Sequence, residues 1–260
     1  VVCFFNLRLG WTFSGLVDNP QVGGIADGFY LGAQTGVSTL STATVGARGA
    51  GGADGGDNAG TGLTSGLFAG WGRTSGDNWY GGIELEGARS VAGWNHAKDK
   101  STSRQFSLGM NDSWGLGLRG GRVLANGALL YARAGLVKSD FDTNFRVNDA
   151  PENAADDSGR QTGKRFGVGI DVPAGDHLFW RMDYSLTNYD DYNVVYDTTA
   201  DGIENFESRE GLFRIGLGWR FGGNNYQPVD PTEGNVSGFY AGAQLGRTQL
   251  SPDLDAIHNE

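Results

Sequence analysis

Eight stretches of this chain alternate between two kinds of residue with a period of two, as β-strands do when their faces meet different surroundings. One face is apolar. The other carries glycine, arginine, glutamate and aspartate rather than the lysine, threonine and serine of a solvated sheet. The first stretch sets Phe29, Leu31, Ala33 and Val37 against Tyr30, Gly32, Gln34 and Gly36, and the second sets Leu63, Leu67, Ala69 and Trp71 against Gly66, Gly70 and Gly72. In the third, Trp79, Ile83 and Leu85 oppose Tyr80, Glu84 and Glu86. The fourth is long, with Phe106, Leu108, Met110, Trp114, Leu116 and Leu118 on its apolar face and Gly115, Gly117 and Arg119 on the other. Asp112 falls on that apolar face, which predicts a bulge or a local change of register beside it.

The remaining four repeat the pattern. Leu130, Ala132, Ala134 and Leu136 oppose Tyr131, Arg133 and Gly135; Phe166, Val168, Ile170 and Val172 oppose Arg165, Gly167, Gly169 and Asp171. Leu178, Trp180, Met182, Tyr184 and Leu186 then oppose Arg181, Asp183 and Ser185, and Phe213, Ile215, Leu217, Trp219 and Phe221 oppose Arg214, Gly216, Gly218 and Arg220. Tight turn signals at 75–78, 125–127 and 173–176 alternate with long polar connections near 41–62, 89–102, 144–162 and 190–208. Short turns at one end and long loops at the other are the connection pattern of outer-membrane barrels. A solvated face has no use for so much glycine, but the lumen of an eight-stranded barrel has room only for side chains, so large and small residues must share it. The 45 glycines of this chain follow no collagen-like period and fit that need. Trp71, Trp79, Trp114, Trp180 and Trp219 suit interfacial aromatic belts.

Composition narrows the classes further. Aromatics at 12% with 6 prolines argue against disorder. No apolar run reaches the length of a membrane-crossing helix. The net charge of −10 disfavours nucleic-acid binding. Cys3 alone allows no internal disulfide framework.

With Gly28-Phe-Tyr30 opening the first strand and Gly218-Trp-Arg-Phe221 ending the eighth, the region 28–221 resembles the small outer-membrane β-barrels of the OmpA transmembrane type. Its nearest branch looks like the alphaproteobacterial porin-family surface antigens. The resemblance implies an all-β, eight-stranded antiparallel up-and-down barrel in a Gram-negative outer membrane. It also implies that Trp219 and Phe221 resemble the terminal signal read by the barrel-assembly machinery. Here that strand sits mid-chain, a departure from the family.

Two motifs recur on either side. Asp27-Gly-Phe-Tyr-Leu-Gly-Ala-Gln-Thr-Gly36 returns as Ser237-Gly-Phe-Tyr-Ala-Gly-Ala-Gln-Leu-Gly246, and Leu9-Gly-Trp-Thr-Phe13 returns as Leu217-Gly-Trp-Arg-Phe221. The offsets are 238 − 28 = 210 and 218 − 10 = 208 residues, the length of a whole domain rather than a solenoid repeat. The expectation is one barrel of a tandem chain, seen as a window of a longer polypeptide. On that reading 1–13 is the last strand of a preceding repeat and 14–27 a linker. The barrel itself is 28–221, 222–237 is a second linker, and 238–260 is the first strand of a following repeat. The alternative is a single ten-stranded barrel that takes in both flanking strands.

Charged residues on the inward face are the first candidates for chemistry: Glu84, Glu86, Arg119, Arg133, Arg165, Arg181, Asp183, Arg214 and Arg220. They read either as an ion path or as a salt-bridge network that fills the lumen, and buried charges of both signs favour the second. Barrel enzymes of the outer membrane carry a histidine near the outer rim beside a serine or carboxylates. His96 alone could reach that rim, His177 and His258 lying elsewhere, and no serine stands two residues beyond it. No catalytic residues are assigned. Asp140, Asp142 and Asn144 have the one-three-five spacing of a calcium loop, but Phe145 stands where an EF-hand needs glycine. With Asp149, Glu152, Asp156 and Asp157 following, a solvated acidic loop is the plainer reading, and no metal or cofactor is assigned. The expected role is a structural or surface-interaction barrel with a charge-plugged lumen and acidic outer loops. A small-solute channel is the alternative, and an enzyme the third reading. Expected partners are outer-membrane lipid and lipopolysaccharide, the barrel-assembly machinery, and neighbouring barrel repeats or like subunits, with no nucleic acid.

Overall fold

The computed structural model describes residues 5–10, 26–48, 52–99, 104–124, 126–146, 158–196, 202–222 and 240–245. Their regular structure is entirely β, as the period-two pattern predicts. The barrel consists of β2 (Gly28–Arg48), β3 (Gly52–Thr74), β4 (Trp79–Ser90) with its continuation β5 (Gly93–Asp99), and β6 (Arg104–Val123). It continues through β7 (Leu129–Arg146), β8 (Ser158–Pro173), β9 (Leu178–Tyr189) with its continuation β10 (Tyr192–Tyr196), and β11 (Gly202–Arg220). Each strand pairs antiparallel with the next, and β11 returns to pair with β2. Counting β4 with β5 and β9 with β10, eight strands close on themselves.

Closure excludes the ten-stranded alternative. β11 bonds directly to β2 from Gly202↔Arg48 to Arg220↔Tyr30, and Phe221 N donates to Phe29 O at 2.8 Å. That junction has no open edge to receive another strand. β1 (Phe5–Gly10) and β12 (Tyr240–Leu245) instead form a two-stranded antiparallel pair of their own, and the chain divides into two units, of which 20–228 holds the barrel. The pair copies the closure of the barrel with a slip. Gly10, the copy of Gly218, faces Tyr240, whereas Gly218 itself faces Gly32 rather than Tyr30. A two-residue slip keeps every side chain on its own face. Of the expected linkers 14–27 and 222–237, only 26, 27 and 222 lie within the described residues; there Asp27 Oδ1 accepts from Thr74 N at 2.6 Å.

The expected tight turns are tight, and each uses a residue with positive φ: Asn78 at 61°, Gly127 at 78° and Gly175 at 140°. Only glycine and, less readily, asparagine adopt that region at little cost. The opposite end differs from expectation. Most of the segments expected as long loops are strand: β2 runs on to Arg48, β3 begins at Gly52, and β7 reaches Arg146. With 21 and 23 residues, β2 and β3 are about twice as long as the roughly 9–11 residues a membrane-crossing strand needs. The extensions carry Thr, Ser, Gly and Asn on the faces that bear apolar residues lower down, so alternation of hydrophobicity does not reveal them.

The polarity of the wall inverts along its length. Near the tight turns the outer face is apolar, with Phe29, Leu67, Leu85, Leu118, Phe166 and Leu217 exposed, and the lumen is charged. Toward the other end Ser41, Lys138, Arg160, Asn188 and Arg209 are exposed, while Leu40, Leu108, Met110, Phe141 and Leu212 are buried inside. In β6 the inversion uses the expected irregularity. Met110 pairs with Phe141 and Ser113 with Ser139, so one extra residue sits between them beside Asp112. That insertion overturns the assignment of Leu108 and Met110 to the same face as Trp114, Leu116 and Leu118: they point into the lumen, and the other three point outward.

Because β2 and β11 close on each other, the segment 28–221 contains every strand its barrel needs. Isolated 28–221 should fold in detergent with heat-modifiable gel mobility and strand content matching the barrel of the full chain. Aggregation of that fragment beside a folded 1–260 would show that the flanks are required for closure.

Candidate lumen charge network

The lumen is built in three layers, which follow from what each strand places inward. Nearest the tight turns is an aromatic floor. Tyr30, Phe68 and Phe179 lie with ring centres 6.1–6.2 Å apart. Arginines stack on these rings: Arg181 lies 3.8 Å from Phe68 and Arg220 4.7 Å from Phe179, while Arg119 lies 3.6 Å from Tyr131 alongside. Such stacking suits the planar, weakly hydrated guanidinium. Inward glycines make room for the rings. A Cβ on Gly218 would stand 2.1 Å from the Phe179 ring, and one on Gly70 would stand 2.3 Å from the Tyr30 hydroxyl.

Above the floor lie two linked groups of ion pairs. In the lower, Glu84 accepts from Arg181 at 2.8 Å and Arg119 at 3.2 Å, and Tyr30 O–H donates to it at 2.9 Å. Asp171 accepts from the same two arginines, each at 2.8 Å. In the upper, Glu86 accepts from Arg165 at 2.6 Å, Arg214 at 2.7 Å and Arg133 at 2.9 Å. Asp183 accepts from Arg214 at 2.9 Å and Arg133 at 3.3 Å. Arg133 also stands 3.6 Å from Glu84 and joins the two groups. Glu210 completes the upper group, accepting from Arg165 at 2.8 Å, Ser38 at 2.8 Å and Tyr189 at 3.0 Å. Arg119, Arg133, Arg165, Arg181 and Arg214 thus alternate with Glu84, Glu86, Asp171, Asp183 and Glu210, all buried. Register brings partners together directly: Asp171 pairs with Arg181 across β8 and β9, and Asp183 with Arg214 across β9 and β11.

The third layer caps the charges with Leu40, Ala92, Trp94, Leu108, Met110, Phe141 and Tyr189. Tyr189 ties cap to network, its ring meeting Phe141 edge-on at 5.0 Å and its hydroxyl reaching both Glu210 and Ser139.

All nine inward charges expected from the sequence are buried in the lumen; Arg220 lies against the aromatic floor, and the others stand in the ion pairs above it. Two further carboxylates complete the network. Asp171 is legible as an inward residue of its strand. Glu210 is not, because its neighbours Ser208, Arg209 and Gly211 show no apolar alternation. Trp219 and Phe221 face outward and are exposed. His96 lies on β5 rather than in a loop, His177 stacks on Trp219 at 5.2 Å between ring centres, and His258 lies outside the described residues. Asp140, Asp142 and Asn144 also lie on a strand, β7, instead of in the loop a calcium site would need. Asp140 pairs with Arg160 at 2.8 Å, and Asp142 accepts a hydrogen bond from Asn111. Residues two apart on a strand stand roughly 7 Å from each other, so the two carboxylates do not converge. Asp149, Glu152, Asp156 and Asp157 lie outside the described residues.

Removing one partner of a buried, hydrogen-bonded charge group leaves the others uncompensated. Glu86→Gln takes the shared carboxylate from Arg133, Arg165 and Arg214. Urea unfolding in phospholipid vesicles should show a loss of about 3–5 kcal/mol. The exposed pair Asp140–Arg160 should contribute about 1 kcal/mol or less when Arg160→Gln breaks it.

Residues 14–221 match the family model for the outer membrane protein beta-barrel domain. Over 157 residues the chain is 28% identical to the 25 kDa outer-membrane immunogenic protein of Brucella melitensis, and its counterpart in Brucella suis is equally similar. The matched stretch is 60% of this chain, and the chain spans 65% of the length of those relatives. Among solved structures, OprG of Pseudomonas aeruginosa is 13% identical with a TM-score of 0.48, covering 78% of this chain and 99% of that one. Ail of Yersinia pestis is 11% identical with a TM-score of 0.35, covering 72% and 98%. With its closed eight-stranded barrel and its apolar outer belt, the chain belongs to the outer membrane protein β-barrel domain family and resides in a Gram-negative outer membrane.

Proposed function

We propose that this barrel serves as a structural or surface-interaction protein of the outer membrane, with a lumen sealed against solute flow and no catalytic role. The observation that carries the reading is the stack of three filled layers. Five arginines and five carboxylates pair with one another at 2.6–3.3 Å above an aromatic floor, and an apolar cap covers them from the other end. Ions would have to break several buried pairs at once to pass. The end that carries the strand extensions faces the cell exterior, a placement supported by tight turns at one end and strands that run well past the membrane-crossing length at the other. The extensions then hold the outer loops clear of the lipid, where a partner can reach them.

Partners on this reading are outer-membrane lipid and lipopolysaccharide, the barrel-assembly machinery acting on Trp219 and Phe221, and neighbouring barrel repeats or like subunits. The repeated motifs at 9–13 and 237–246 support a tandem multi-barrel chain in which β1 and β12 belong to the preceding and following units.

Planar-bilayer recording separates this role from a small-solute channel. The folded chain should pass almost no current, while steady, voltage-independent openings of the unmodified protein would favour the channel. Orientation is read separately by labelling intact cells with single cysteines introduced after Cys3→Ser. Cysteine at Ser41, in the extended end, should react, and cysteine at Asp77, in a tight turn, should stay protected; equal labelling of both would overturn the orientation.

A further inference from the structure

At the border where the apolar belt ends, the wall is not uniform. β2 and β3 meet it with hydroxyls, Thr39 bonding Thr61 at 3.3 Å. β4 and β6 meet it with a neutralised pair, Arg89 and Asp112 at 3.6 Å. The arc formed by β7, β8, β9 and β11 is different. There Lys138, Lys164, Asn188 and Arg209 stand side by side, all exposed on the outer face. Register makes them a continuous row: Lys164 is directly opposite Asn188, Asn188 is directly opposite Arg209, and Lys138 is diagonal to Lys164 through the Leu136↔Lys164 pair. Three strand spacings make the row about 14 Å wide.

The row sits on the belt itself. Leu136, Phe166 and Leu186, each two residues nearer the tight turns, are all exposed apolar side chains. Lys138 also lies 5.7 Å from the ring of Trp114, an arrangement common at membrane interfaces. Among the described residues, none of the three cations has a carboxylate within ion-pair distance. The carboxylates of this sector lie farther from the belt: Asp140 is held by Arg160, Asp142 is bonded by Asn111, and Asp190 and Glu207 stand two residues beyond Asn188 and Arg209. In a chain of net charge −10, these three cations gathered on adjoining strands at the edge of the belt form a local surface of opposite sign.

We propose that Lys138, Lys164 and Arg209, with Asn188 between them, bind the phosphate groups of a phosphorylated glycolipid of the outer leaflet, while Leu136, Phe166 and Leu186 below them take its acyl chains. Lipid A is the occupant this geometry fits, since a phosphorylated sugar headgroup offers acceptors across the row and its chains match the adjoining belt. The assignment to the outer leaflet rests on the orientation proposed above. Symmetric nanodiscs hold the lipid in both leaflets, so binding there is independent of orientation and the two readings fail separately.

The test measures association of fluorescent lipid A with the full chain in phosphatidylcholine nanodiscs. A cation near an anionic surface strengthens association roughly fivefold, so K138Q/K164Q/R209Q should bind about a hundredfold more weakly. The conservative K138R/K164R/R209K should retain binding, and each single substitution to Gln should lose about fivefold. The neutral double change D140N/R160Q, one step farther out, should leave affinity unchanged. Dephosphorylated lipid A should bind the wild type as weakly as lipid A binds the triple variant, and inorganic phosphate alone should not compete. Equal binding by wild type and the Gln variants would overturn the proposal. So would undiminished binding of dephosphorylated lipid A, or displacement by inorganic phosphate.

Discussion

Everything in this molecule depends on the direct hydrogen-bonded junction between β2 and β11. In hydrocarbon an unpaired backbone group costs several kcal/mol, so a sheet can cross a membrane only if its first and last strands meet. Once they meet, the circumference is set at eight strands, and the interior becomes a narrow column with room for side chains alone. The inward sequence is then a packing problem with two remedies, both visible here. Glycine lies beside each ring of the floor, and arginine and carboxylate lie opposite one another above it. The abundance of glycine and the abundance of inward charge have one cause.

The charged column is a specificity device as much as a stabilising one. Buried ion pairs gain little net free energy over well-packed apolar side chains, but they penalise any arrangement that separates the partners. In this barrel the partners come from β4, β6, β7, β8, β9 and β11, so a strand out of register by two residues would strand several charges together. The apolar outer face discriminates registers poorly, because hydrocarbon accepts Leu, Ile or Val at any height. The network supplies the discrimination the lipid face lacks.

How much of this was legible in the chain varied with height. In the membrane-crossing part the two faces differ so strongly that Phe29 and Tyr30, or Leu217 and Gly218, assign themselves to outside and inside without further knowledge. Asp112 announced its bulge because a carboxylate has no place in an apolar stripe. Beyond the belt the signal fades. Thr39, Ser41, Thr61 and Arg209 face water and Ser38, Thr42 and Ser208 face the lumen, so both faces read as polar and the strands pass for loops. Glu210 lies among them. Pairing there is sustained by continuity with the ladder below, a long-range cause that no local pattern carries. The calcium-like spacing of Asp140, Asp142 and Asn144 has a related origin, since one-three-five spacing is also what any strand with one polar face displays.

The inversion of polarity along the wall gives the molecule two solvents. Its lower half is organised for oil, with polar groups gathered within. The upper half has the arrangement of an ordinary water-soluble protein, with Leu108, Met110 and Phe141 as its core. A single inserted residue in β6, beside Asp112, marks the change, turning one series of alternate apolar positions from an external coat into an internal filling. The protein therefore carries its own measure of where the bilayer stops, written into strand register, and is held at that depth from both sides. Sinking would press charged and hydroxylated surface into hydrocarbon, and rising would expose Phe, Leu and Trp to water.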